Sequence, residues 1–228
     1  MIEEIYKKIK HFEEDELTGD FFGTIKYIPF QKGFGRILNE FLKEKEDQKF
    51  KKAKEILETF GTNVEFIFWN KQNGKRKYTK GEDATEPDVL IVDENENAIL
   101  IEVKYMSGPS DGDTEEKKQI NREKNFLNSN FQGKNTLFLY IGDIWQCTKI
   151  ERSEEIENII TITWSDITEI LKNILNPNDI EDNYIKFIFE DILSFLKVKG
   201  FEKFKGFRTE IEDINVYDNY FYQYREEK

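Results

Sequence analysis

Residues 87–104 read Pro-Asp-Val-Leu-Ile-Val-Asp-Glu-Asn-Glu-Asn-Ala-Ile-Leu-Ile-Glu-Val-Lys. Two apolar runs, 89–92 and 98–103, flank a polar knot at 93–97, the pattern of a β-hairpin. Asp88 opens the first strand, and Glu102 and Lys104 close the second. Side chains alternate faces along a strand, so Glu102 and Lys104 share a face and Val103 points away. A turn centred near Asn95 sets Asp88 across from Glu102. The hairpin is therefore expected to gather two carboxylates and an ammonium at one end.

That combination suits a hard divalent cation, which prefers carboxylate, carbonyl and water oxygens. Asp88 and Glu102 offer two ligands, and the Val103 carbonyl offers a third. Lys104 is placed to orient a water or to neutralise charge on a phosphoryl transition state. Pro87-Asp88 followed by Glu102-Val103-Lys104 resembles the signature of the PD-(D/E)XK, or restriction-endonuclease-like, nuclease superfamily. The resemblance covers residues 87–104 directly and 64–141 more loosely. It implies a Mg2+ or Mn2+ cofactor on the two acids and a lysine that assists the attacking water.

The same resemblance points to two further positions. An acid from an early helix often joins the metal site, and Glu14, Glu16 and Glu40 are all available. Glu14 is favoured, because Glu14-Asp15-Glu16-Leu17-Thr18 is similar to a Glu-x-x-Leu-Thr pattern near the start of some relatives. Gln119 falls on the helix after the site strand, where many relatives carry a glutamine facing the active centre. Against all this stands a plainer reading, in which Asp88, Glu102 and Lys104 form a surface ion-pair cluster of little energetic weight. Glu102 argues the other way, since an acid after Ala98-Ile99-Leu100-Ile101 is poorly placed without a partner.

Composition bounds the answer. With 228 residues, 38% hydrophobic and 14% aromatic, the chain suffices for one well-cored domain. A core over about 12–165 is expected, with a helical extension over about 166–228. No apolar run approaches the ~18 residues of a membrane span, and the acidic start Met-Ile-Glu-Glu-Ile lacks a signal-peptide pattern. A cytoplasmic protein is expected. The formal charge of -12 weighs against nucleic-acid binding, which needs Lys and Arg at phosphates. A bound cation offsets part of that charge locally. Lys71, Lys75, Arg76, Lys77 and Lys80 lie in ten residues free of acids, around the hairpin-turn signal Asn73-Gly74. They read either as a DNA-backbone contact or as a solvated turn.

Elsewhere the spacing predicts helices at Ile2–Phe12 positions 2, 5, 6, 9 and 12, at 34–42, at 50–60 with Gly61 as C-cap, and from Thr114 to about 128. Strands are expected at 64–69, 136–141 and 159–164. Asp166 with Glu169 makes a capping-box pattern ahead of a helix ended by Pro177. Ile180, Tyr184, Phe187, Ile188, Ile192, Phe195 and Leu196 mark a last amphipathic helix. The tyrosine-rich tail, 217–224, reads as a packing strand or an interaction surface. This order suggests an α/β sandwich, a mixed central sheet flanked by helices with extra N- and C-terminal helices, which also fits the restriction-endonuclease-like core.

Some chemistries are disfavoured. His11 is the lone histidine, so a zinc cluster is not expected. Cys147 is the lone cysteine and reads as a small buried hydrophobe without a helix-start pattern. Gly33-Phe34-Gly35-Arg36 lacks the remaining glycine and the preceding strand of a dinucleotide motif. The leading expectation is a metal-dependent nuclease acting on DNA more readily than RNA, with a defence, restriction or repair role by association. A homodimer or a partner protein fits that role. The competing expectation is a non-catalytic acidic protein of the same fold that binds a protein partner.

Overall fold

The computed structural model describes residues 14–73, 75–80, 85–105, 113–152, 159–176 and 182–202. The helix expected over 2–12, His11, Pro177, Ile180 and the tail at 217–224 lie outside them. Seven helices and seven strands are described: α1 Glu14–Ile25, α2 Phe34–Leu42, α3 Gln48–Thr59, β1 Val64–Phe68, β2 Lys71–Gln72, β3 Lys75–Arg76, β4 Val89–Asp93, β5 Ala98–Val103, α4 Asp113–Asn130, β6 Thr136–Gly142, α5 Ile144–Glu151, β7 Ile159–Thr163, α6 Trp164–Ile174 and α7 Asn183–Val198. Five strands form one mixed sheet in the order β1-β4-β5-β6-β7. The β1, β4 and β5 pairings are antiparallel, and β5, β6 and β7 run parallel. The architecture is α/β, as expected.

The central strand explains the layering. All six residues of β5 are buried, as befits a strand covered on both faces. Ile99, Ile101 and Val103 enter a large core with α1, α2, α3, α6 and α7. Ala98 and Leu100 enter a second core with Ile120, Phe126 and Leu127 of α4 and Cys147 and Ile150 of α5. Glu102 continues the alternation of Ala98 and Leu100, at the carboxyl end of the strand. Helices α6 and α7 share the large core with α1.

The hairpin's register is pinned at its turn. Asp93 accepts from the backbone N–H of Asn95 and Asn97 and from the Asn97 side chain, at 2.8–2.9 Å. It also accepts from the Gly61 N–H at 2.8 Å, which ties the turn to the end of α3. Burial opposes the Asp93 charge, but these donors prevail and hold its carboxyl below the usual range. Val89 pairs with Ile101 and Val92 with Ala98; one further step of this register sets Asp88 opposite Glu102.

Four local expectations are revised. Chain reversal after β1 starts at Trp69, which has φ +49° and is followed by Asn70 at +51°, so Trp69 leaves the strand. Helix α6 begins at Trp164, directly on leaving β7. Its capping box is therefore Thr163 with Asp166, not Asp166 with Glu169. Helix α5 was not expected, since eight residues give too short an apolar period. Its start is nonetheless marked by an Asp143–Gln146 capping box, so Cys147 does follow a helix-start pattern. On α7 the buried face is Ile185, Phe189, Ile192, Phe195 and Leu196, which leaves Tyr184 and Phe187 exposed.

Helix α1 is fastened by aromatic edges. Phe21 meets Phe22 at 4.9 Å and Trp164 at 5.2 Å, both edge-to-face, and Phe22 meets Phe34 at 5.2 Å. Truncating a fully buried phenylalanine removes its transfer free energy and leaves a cavity. Phe21→Ala is expected to lower unfolding free energy by about 3–5 kcal/mol, measured by denaturant titration. A loss under about 1 kcal/mol would contradict this packing.

Candidate metal centre

Glu102 is the centre of the constellation. It is 1% exposed at the end of the central strand. Its Oε1 accepts from the Lys104 ammonium at 2.5 Å and from Gln119 Nε2 at 2.6 Å, while its Oε2 is buried. Asp88, on the neighbouring strand, is 9% exposed. Its Oδ2 accepts from the Val103 N–H at 2.7 Å, and its backbone carbonyl accepts from the Trp69 N–H at 3.1 Å. Each strand end thus fixes the other.

Glu14 arrives from the opposite face, at the first turn of α1. Its Oε1 accepts from Lys104 at 3.1 Å and its Oε2 from the Tyr105 N–H at 3.0 Å. One carboxylate oxygen each from Glu14, Asp88 and Glu102 lies within 4.8 Å of the others, close enough to share a cation. Of the three early acids considered, Glu14 is the one at the site. Glu16 is 3.8 Å from Lys199 and Glu40 is 3.5 Å from Lys43. The strand after Glu102 is held in place as well. Lys104 donates its N–H to the Ile141 carbonyl at 2.7 Å, and its own carbonyl accepts from Trp164 Nε1 at 3.1 Å.

Glu123 also belongs to the site, although its charged sequence surroundings do not single it out. It is 1% exposed, one helical turn beyond Gln119, whose amide bridges Glu102 and Glu123 Oε1 at 3.1 Å. Its Oε2 is also buried. The signal lay in the helical period: Ile120, Glu123, Phe126 and Leu127 are all buried on α4, so Glu123 stands on an apolar stripe.

Four carboxylates here surround one ammonium, and the electrostatics follow from that shortage. Burial first, then the charge of Glu102, pushes Asp88 up to about 8, against the Val103 amide that favours its ionised form. Burial and the charge of Glu123 drive Glu102 well above the usual range. Burial pushes Glu123 up to about 7. Burial disfavours the Lys104 ammonium, but Glu102 and Glu14 outweigh it and hold that amine above its ordinary value. Glu102, kept protonated by burial, hydrogen-bonds the Glu123 carboxyl, and a divalent cation that favours the ionised form of Glu102 would displace that proton.

The remaining sequence candidates are placed as follows. Val103 contributes its N–H to Asp88. Lys71, Lys75 and Arg76 lie in the β2–β3 hairpin and Lys77 follows it; the hairpin leaves the sheet at the Asp88 end. Acids from outside that segment meet it: Glu86 lies 3.2 Å from Lys71 and 3.4 Å from Arg76, and Glu65 pairs with Lys77. These exposed pairs reduce the positive field of the hairpin and add little stability. Cys147 is buried, and burial pushes its thiol up to about 12. Among the described residues, no helix is long and apolar enough to cross a membrane. No family model, no curated protein and no solved structure matches this chain.

The Glu123 shift has a signed consequence. In the metal-free protein the folded state holds this proton up to about pH 7, whereas the unfolded chain releases it near 4.5. Its contribution to stability therefore falls as pH rises through that window. Glu123→Gln removes the effect. In EDTA, the Tm of the variant minus that of the parent should become more positive between about pH 5 and about pH 8. A flat difference in thermal melts would show that Glu123 titrates normally.

Proposed function

We propose that this chain is a divalent-metal-dependent phosphodiesterase, a nuclease of the PD-(D/E)XK kind with a restriction-endonuclease-like core, acting on DNA. The observation that carries the reading is the convergence of Glu14, Asp88 and Glu102 within 4.8 Å around Lys104. Asp88 and Glu102 come from adjacent strand ends and Glu14 from a helix distant in sequence. A chance surface ion pair does not bury an acid at the end of a central strand, where Glu102 is 1% exposed.

Glu14, Asp88 and Glu102 would hold the cation, Mg2+ or Mn2+, and the Val103 carbonyl is the candidate for a further ligand. When bound, the metal polarises a phosphoryl oxygen and lowers the pKa of a water. Lys104 is held as an ammonium by Glu102 and Glu14, so its part is donation: it orients the attacking water and neutralises charge that develops on phosphate oxygens. Gln119 acts at one remove, as a positioning residue, by fixing the Glu102 carboxylate through its amide. Glu123 anchors that amide from the next turn. The basic β2–β3 hairpin, at the same end of the sheet, would meet the phosphate backbone through Lys71, Lys75, Arg76 and Lys77, exchanging the Glu86 and Glu65 pairs for phosphate oxygens.

Two measurements test the reading. Isothermal titration with Mn2+ should show binding in the parent, weakened at least tenfold in Asp88→Asn and in Glu102→Gln. Unaltered binding in both variants removes the metal centre. An activity panel over single- and double-stranded DNA and RNA with Mn2+ should show hydrolysis, reduced about 100-fold or more in Lys104→Ala. Mn2+ affinity of that variant should be retained or tightened, because a competing cation is gone. A parent that neither binds Mn2+ nor cleaves any of the four substrates would be an acidic protein-binding module.

A further inference from the structure

The short helix α5 carries a feature the metal centre does not use. Its first two residues, Ile144 and Trp145, are 77% and 53% exposed, while Cys147 and Ile150 of the same helix are buried. Two large apolar side chains in succession at a helix start are costly to leave in water. Neither contributes to the packing that holds α5 on the sheet. The other tryptophans differ: Trp164 is fully buried and serves the Lys104 carbonyl, and Trp69 has its indole N–H buried.

The position of the pair is set by the sheet. Strand β6 is the parallel neighbour of β5, with Glu102 level with Tyr140 and Val103 level with Ile141. The strands are about 4.8 Å apart. Chain leaving β6 at Gly142 therefore emerges at the same end of the sheet as Glu102 and Lys104. Helix α5 then packs on the face that also carries α4, the helix of Gln119 and Glu123. The Lys149 ammonium lies 5.4 Å over the Trp145 ring, and Arg152, at the end of the helix, is exposed.

We infer that Trp145, with Lys149 over its ring, is a stacking platform for an unpaired nucleobase of the strand whose phosphate lies at the metal centre, so that the preferred substrate is single-stranded or carries unpaired bases at the cut. The inference rests on the nuclease reading for its orientation. An exposed indole offers a π-face to any base, and stacking of this kind is sequence-tolerant. The cation–π contact with Lys149 holds the ring in place. Bases within a duplex already stack on their neighbours, so the platform discriminates in favour of unpaired ones. Trp145 is then a specificity residue.

The test uses the full chain, with Ca2+ replacing Mn2+, and a fluorescein-labelled single-stranded oligonucleotide beside its blunt duplex. The parent should bind the single strand more tightly than the duplex, with quenching of tryptophan emission by the unlabelled strand. Trp145→Leu should raise the single-strand Kd about tenfold or more and narrow its advantage over the duplex. Trp145→Phe should hold the Kd within a few-fold of the parent and lose the quenching. Thermal melting of each variant reports on folding. A parent that binds neither form, or a Trp145→Leu variant with the parent's Kd for both, overturns the platform. Such a result would leave the exposed pair as a protein-docking surface. The nuclease reading fails separately, if the parent binds the single strand with this Trp145 dependence but does not cleave it with Mn2+.

Discussion

Glu102 is buried at the carboxyl end of the central strand with Asp88, Glu123 and Glu14 about it and Lys104 as the ammonium in their midst. Burying one ionised carboxylate is expensive unless it is paired and fully hydrogen-bonded. Burying several with one cation between them works against folding, and the raised Asp88, Glu102 and Glu123 carboxyls register that cost. Such an arrangement persists only when the surrounding packing imposes it. The remainder of the molecule is arranged so as to impose it.

The imposition comes from three directions. The Asp93 turn fixes the β4–β5 register, and with it the meeting of Asp88 and the Val103 amide. On one side of the sheet the Phe21, Phe22, Phe34 and Trp164 edges hold α1, which delivers Glu14. Trp164 also holds the Lys104 carbonyl, so the same side chain locates the helix and the strand end. On the other side, Ile120, Phe126 and Leu127 seat α4, which brings Gln119 and Glu123 over Glu102. The site is thus built at a junction of both layers, at the carboxyl end of the sheet where open α/β folds commonly bind ligands.

The legibility of this site in the sequence was uneven, and the reason is physical in each case. The hairpin was readable because alternation and turn chemistry are local, and its symmetry about Asn95 sets Asp88 opposite Glu102. Glu14 was one of three acids that local sequence could not separate, since the separation depends on which end of α1 meets the sheet. Glu123 gave no signal of its own among the interleaved charges of α4. Only its phase relative to Ile120 and Leu127 places it inside. The basic hairpin looked free of acids because Glu65 and Glu86 reach it from outside the segment.

What the sequence determined by itself is what short-range rules govern: the apolar runs of β4 and β5, their tight turn, the α/β order of elements, and the shared face of Glu102 and Lys104. Tertiary structure decided which distant groups join that face. It chose Glu14 over Glu16 and Glu40, turned Glu123 inward, set Tyr184 and Phe187 outward on α7, and left Ile144 and Trp145 exposed after the strand end next to Glu102. Those outcomes follow from how helices dock onto a sheet. Docking depends on the combined shape of two cores, and no window of local periodicity contains that information.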